Sequence, residues 1–137
     1  MNTRCLVVCL AICAGPTFAQ HIDIDPRKDV ANLTGEQIYT QVCQGCHMPD
    51  AKGAVGAGRY PPLAGDVKLA SGAYPAVMVM NGRGNMPAFG PMFTDAQIAD
   101  VINYVRTHFG NAYTDSLEPD DVKVFRPPPP SNPPEKH

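Results

Sequence analysis

Cys43-Gln44-Gly45-Cys46-His47 is the stretch on which the reading of this chain turns. On a helix end, two thiols three residues apart share one face, and an imidazole four residues from the first falls on the same side. C-x-x-C-H is the attachment pattern for a covalently bound haem: each thiol adds to one vinyl group, and His47 falls under the iron. Gln44 and Gly45 fill the turn without obstructing the porphyrin. Three other uses of the thiols compete. A thioredoxin-like redox pair needs a strand before the motif and a βαβ pattern around it, and the sequence offers neither. A zinc site needs four ligands, and His47 sits too close to Cys46 to help. A plain disulfide would close a tiny loop, stabilise little, and leave the histidine unexplained.

Iron held by one histidine wants a ligand on its other side. His21 and His137 lie near the chain ends, and His108 falls in the last turn of a helix, where a cation suits the dipole. Met48 adjoins His47 and cannot reach the opposite face. Met78 and Met80 sit on an apolar helix and are expected to pack, as is Met92 just before a helix cap. Met86 stands apart: it follows the flexible run Asn81-Gly82-Arg83-Gly84-Asn85 and is backed by Pro87. A loop methionine stiffened by proline suits a sulfur ligand, so Met86 is the favoured partner of His47, with Met92 and His108 as alternatives.

Two helix starts flank the motif and the methionine loop. Leu33-Thr34-Gly35-Glu36-Gln37-Ile38 and Phe93-Thr94-Asp95-Ala96-Gln97-Ile98 each place Thr at the N-cap, Gln three residues on, and an apolar pair able to staple across the cap. The first helix is expected from Gly35 to the cysteines, burying Ile38, Tyr39 and Val42. The second carries Ile98, Val101, Ile102, Val105 and Phe109 as an amphipathic stripe, with Gly110 as a left-handed cap. A short helix fits Pro75 to Met80, stopped by Gly82. No strand signal is convincing. Residues 48–73 form a long Gly-, Ala- and Pro-rich loop, acceptable where a large rigid group replaces missing core.

The chain has 137 residues, enough for one small domain. At 18% charged residues and net charge −2, no basic patch argues for nucleic acid. Met1-Asn2-Thr3-Arg4, the uncharged run Cys5 to Ala14 and Thr17-Phe18-Ala19 read as a signal peptide over 1–19, cleaved after Ala19. That run is too short to span roughly 30 Å of hydrocarbon, so no transmembrane segment is expected in the mature chain. Ile12, before Cys13, is unsuited to a lipoprotein site. Cleavage leaves Cys43 and Cys46 as the only cysteines. Residues 20–32 read as a flexible lead-in and 111–137 as a polar arm. The arm ends in a Pro-rich tail, extended or disordered, in which six of the last eleven residues are proline.

Taken together, these motifs resemble a class I cytochrome c over 33–110. The resemblance rests on Cys43 to His47 after a helix containing Gly35 and Tyr39, on Pro61-Pro62-Leu63-Ala64-Gly65, and on Asn81 to Phe89 followed by a helix with Tyr104. It implies an all-α fold in which the first and last helices cross at a glycine and aromatics, while a short helix and long loops wrap one covalently bound haem c. It implies that the Pro61 carbonyl accepts the N–H of His47 and fixes its ring. Softer cues, the Tyr60-Pro61-Pro62-Leu63-Ala64-Gly65 loop and Phe109-Gly110-Asn111 with Asp121-Val122 beyond, resemble cytochrome subunits or partners of periplasmic alcohol, aldehyde, polyol or phenol dehydrogenases.

The expected function is that of a one-electron carrier in the periplasm, not an enzyme. A dehydrogenase would be the electron donor and a terminal oxidase or another cytochrome the acceptor. Cys43 and Cys46 would bind the cofactor, and His47 and Met86 the metal. Two strong ligands leave no open position for substrate, and a neutral thioether favours ferrous iron. The alternative is a haem enzyme or gas sensor with a labile sixth ligand. Against it, only Asn85 and Arg83 lie beside Met86 in the sequence.

Overall fold

Thr34 and Thr94 open the two principal helices by the same device. In the computed structural model, which describes residues 30, 32–56 and 58–128, each hydroxyl accepts from the amide three residues on. These bonds measure 3.3 Å at Gln37 and 3.2 Å at Gln97. Each Gln side chain accepts in return from its Thr amide, at 2.9 and 3.0 Å. Four orphan amides at a helix start are thereby reduced without a tertiary partner.

The element order is α1 (Gly35–Ile38), a π-helical turn (Tyr39–Cys43), α2 (Gln44–His47), β1 (Ala54–Val55), β2 (Arg59–Tyr60), a 3-10 turn (Val67–Ala70), α3 (Ala73–Asn81), α4 (Asp95–Thr107) and α5 (Pro119–Lys123). The first three keep right-handed helical backbone through their junctions and form one rod. That rod crosses α4 at Gly35, where an added Cβ would run into the Asp100 carbonyl. Ile38 and Tyr39 from the rod pack with Ile98, Val101, Ile102 and Val105 of α4, all buried. The Tyr39 ring lies 5.8 Å from Tyr104 and 4.7 Å from Phe109, centroid to centroid.

Four expectations need correction. The fold is not wholly helical: Ala54 pairs with Tyr60 and Val55 with Arg59 in a two-residue antiparallel ladder. Two residues per strand are too few for alternation to show, and the ladder serves to pair backbone groups inside the long loop. Phe109 is not on the helical stripe. The helix ends at Thr107, His108 is extended, and Phe109 (φ 58°) and Gly110 (φ 79°) are both left-handed. A left-handed phenylalanine is unfavourable, and the contact of its ring with Tyr39 offsets the cost. Met92 does not pack beneath the cap: it is 58% exposed, because Phe93 already fills the staple position.

The fourth correction concerns the arm after Gly110, which folds back on the core. Leu117 and Val122 are buried. Asn103 of α4 donates to Leu117 O and accepts from its amide, both at 2.9 Å. Pro119 occupies the first turn of α5, and Glu118 N donates to Asp121 Oδ2 at 2.9 Å. Arg106, 1% exposed, donates to Leu69 O at 2.9 Å, Ala70 O at 3.2 Å and the Asp115 carboxylate at 2.7 Å. One buried cation thus joins the 3-10 turn to the arm, with its charge matched by Asp115. Its hydrogen bond holds the Asp115 carboxyl below the usual carboxylate range.

The expected signal peptide, the lead-in up to residue 29 and the tail from residue 129 lie outside the described residues. Val30 O accepts from Gln97 Nε2, tying the end of the lead-in to α4. Among the described residues no helix is long and apolar enough to cross a membrane.

Candidate functional site

Cys43 closes the π-helical turn and Cys46 follows on α2, so both project from the rod. They are not bonded to each other; Cys43 is half-buried and Cys46 exposed. Burial pushes the Cys43 thiol up to about 11, which keeps it neutral near pH 7. Thr40 Oγ1 donates to Glu36 O at 3.0 Å. In an unbroken α-helix that carbonyl would serve the amide of Thr40 itself.

The chain behind His47 is held by a dense set of backbone bonds. Met48 is left-handed at φ 67°, and its carbonyl accepts from Tyr39 Oη at 2.7 Å and Ala51 N at 3.1 Å. Burial pushes the Tyr39 phenol up to about 12, so it stays a donor. His47 O accepts from Gly53 N at 3.1 Å. Ala51 O accepts from Leu63 N at 2.7 Å and Ala64 N at 2.9 Å. Asn111 Nδ2 fastens the same loop to the end of α4, donating to Leu63 O at 2.9 Å and Val105 O at 2.8 Å.

These fastenings put Pro61 O 3.0 Å from His47 Nδ1. A carbonyl only accepts, so Nδ1 is the donor, which in the neutral ring leaves the lone pair on Nε2. Gly53 is what lets the two segments meet. Its φ is +68°, and a Cβ there would lie 2.8 Å from Pro61 C and 2.9 Å from Pro61 O. The roles of Gly53 and Asn111 are not foreseen in the sequence: Asn111 enters only as part of a family cue, and each acts on a segment that no local pattern pairs with it.

Met86 lies on a separate loop. Gly82 ends α3, and Arg83 and Met86 exchange two backbone hydrogen bonds of 3.0 Å each. The loop returns to α3 through Phe89 N to Val79 O at 2.9 Å and Gly90 N to Met80 O at 3.1 Å. Met86 is half-buried, Met78 likewise, and Met80 is 2% exposed. His108 is exposed; its ring stacks on Tyr104 at 4.1 Å, and its Nδ1 donates to Tyr104 O at 2.7 Å.

The donor set fits a haem c. Two unbonded thiols, an imidazole oriented through Nδ1 and a loop thioether are the groups such a cofactor takes. Apolar side chains from several segments, Val42, Leu63, Val79 and Phe89, meet the core only partly covered. That suits contact with a flat apolar ring.

Residues 30–105 match the family described as cytochrome c oxidase, cbb3-type, subunit III, and the chain belongs to that family of cytochrome c domains. Such a domain implies covalently bound haem c. The fructose dehydrogenase cytochrome subunit of Gluconobacter japonicus is 37% identical over 130 residues, covering 81% of this chain and 26% of the relative. The gluconate 2-dehydrogenase cytochrome c subunit of Pantoea cypripedii is 31% identical over 105 residues, covering 68% and 24%. Cytochrome c-552 of Thermus thermophilus is 31% identical over 115 residues, covering 72% and 70%. The chain spans about a quarter of the length of the two dehydrogenase subunits.

Proposed function

We propose that this chain is an exported one-electron carrier with a single haem c, reduced by a periplasmic dehydrogenase and oxidised by a terminal oxidase or another cytochrome. Cys43 and Cys46 would hold the group through thioethers, and His47 Nε2 and Met86 Sδ would bind its iron. When bound, the haem supplies an iron that cycles between ferrous and ferric. The observation that carries the reading is the 3.0 Å bond from His47 Nδ1 to Pro61 O beside two unbonded thiols. An imidazole that donates through Nδ1 is fixed in tautomer and orientation, and is the more basic ligand for it. Met86 presents a neutral sulfur, which favours the lower charge state. With both positions taken by protein, the site suits electron transfer rather than substrate chemistry.

Two dehydrogenase cytochrome subunits among the relatives support a dehydrogenase as donor. The basic start, the apolar run and Thr17-Phe18-Ala19 support export. Denaturation in acid acetone tests the cofactor: haem stays with the polypeptide, in a stoichiometry of one by pyridine haemochrome. Cys46→Ala leaves at most one thioether and lowers the yield of haem-loaded protein. Complete extraction of haem from the parent protein overturns the reading.

The Pro-rich tail is proposed to strap the carrier to its dehydrogenase, since an extended polyproline segment loses little entropy on docking. Removal of residues 127–137 spares α5 and Arg126. It is expected to leave the visible spectrum unchanged and to slow electron uptake from the dehydrogenase at limiting concentration. Uptake at the full-length rate would make the protein a free shuttle.

A further inference from the structure

We propose that Arg126 is a positioning residue for Met86: it clamps the base of the loop that carries the sulfur and sets how often that sulfur leaves the iron. The inference rests on the reading of Met86 as axial ligand. Arg126 Nη1 donates to Gly90 O at 2.7 Å and Nη2 to Phe93 O at 3.1 Å. Its Nε and Nη2 both reach Asp95 Oδ1, at 2.8 and 2.6 Å. Gly90 is therefore held from both sides, its amide by Met80 O and its carbonyl by the guanidinium. Gly90 lies four residues beyond Met86, and Phe89 and Phe93 stack at 5.7 Å within the same segment. The loop closes on α3 through its amides and on the C-terminal segment through its carbonyls.

The guanidinium approaches from a rigid base. Phe125 N donates to Val122 O at 3.0 Å and Arg126 N to Lys123 O at 3.1 Å, continuing the turn of α5, whose Val122 is fully buried. The Arg126 and Asp95 side chains are 34% and 24% exposed, so water and salt weaken the pair less than they would a surface pair. Three acceptors in different directions suit a planar fork and not an ammonium.

The test uses full-length haem-loaded protein. Cyanide binds ferric iron only after the sulfur has left, so its saturating rate reads the leaving step. Arg126→Gln is expected to raise that rate about tenfold, equivalent to about 1.4 kcal/mol, with the near-red Met–haem band still present at rest. Asp115→Asn, which leaves the buried Arg106 without its carboxylate and keeps every donor and acceptor of the clamp, is expected to lower the denaturation midpoint while the cyanide rate stays within about twofold of the parent. A parental rate in Arg126→Gln, or equal acceleration by Asp115→Asn, overturns the proposal. Met86→Ala separates the two failures: if it keeps the band and the slow rate, the ligand reading has failed, whatever Arg126 does.

Discussion

Met86→Ala is expected to convert a protein that excludes carbon monoxide into one that binds it on mixing in the ferrous form. The weak near-red band of the ferric form should disappear with it. Met86 ends the hydrogen-bonded turn from Arg83, so truncation removes the sulfur while leaving a backbone whose two 3.0 Å bonds do not depend on the side chain. The two alternative ligands read from the sequence are otherwise placed. Met92 is on the surface, and His108 is engaged with Tyr104 through its Nδ1 and its ring face. The potential should fall by on the order of 0.1 V or more, because axial ligands move haem potentials across roughly 0.8 V. Met92→Ala should change neither property. Carbon monoxide binding in Met92→Ala and not in Met86→Ala would transfer the ligand role.

Gly35→Ala should be a strongly destabilising single-methyl addition at the helix crossing. The new carbon falls on the Asp100 carbonyl, 2.5 Å from its C and 3.0 Å from Val101 N. These are backbone atoms in the middle of α4 and cannot rotate aside, so the helices must separate. Overpacking of a tight core costs about 1–3 kcal/mol, and a contact with backbone belongs at the upper end. Better helix propensity returns less than about 1 kcal/mol at an end position. A fall of about 10 °C in the thermal midpoint is expected for a domain of this size. Gly56→Ala, where an added carbon meets nothing within 4 Å, serves as the reference and should be near neutral. Equal midpoints for the two variants would mean that the crossing is not close-packed.

What could be read from the chain was local. The capping boxes at Thr34 and Thr94 and the spacing of Cys43, Cys46 and His47 are patterns within one helical turn, and each helix start stands where its pattern places it. The roles of Gly53, Asn111 and Arg106 depend on segments that meet only after folding, and nothing beside them in sequence announces the partner. The same holds for α5. Its cap pairs Glu118 with Asp121 rather than Ser or Thr with Glu, and its apolar content is little more than Leu117, Val122 and Phe125 scattered among charges. Its stability comes from the surface it covers on α4, which a propensity argument cannot weigh. Phe109 was misplaced for a related reason: helical periodicity admits it, and only the Tyr39 ring accounts for the left-handed backbone that takes it elsewhere.

The π-helical turn at Tyr39–Cys43 lets the rod carry one residue more than regular winding would place there. An α-helix advances about 100° per residue, and a wider turn holds one residue more for the same sweep. It works as a phase adapter: Tyr39 faces the α4 crossing, while the thiol pair is brought to a bearing that regular winding from Gly35 would not give. Thr40 and Gln41 are exposed and bear no core contact, so substitutions there meet little resistance. Removal of either one would let the rod wind evenly with Cys43, Cys46 and His47 near the bearing they now hold; regular winding with both present would swing all three by about 100°, away from Pro61. At these two surface sites the wider winding, and not the side chains, keeps the motif facing its loop.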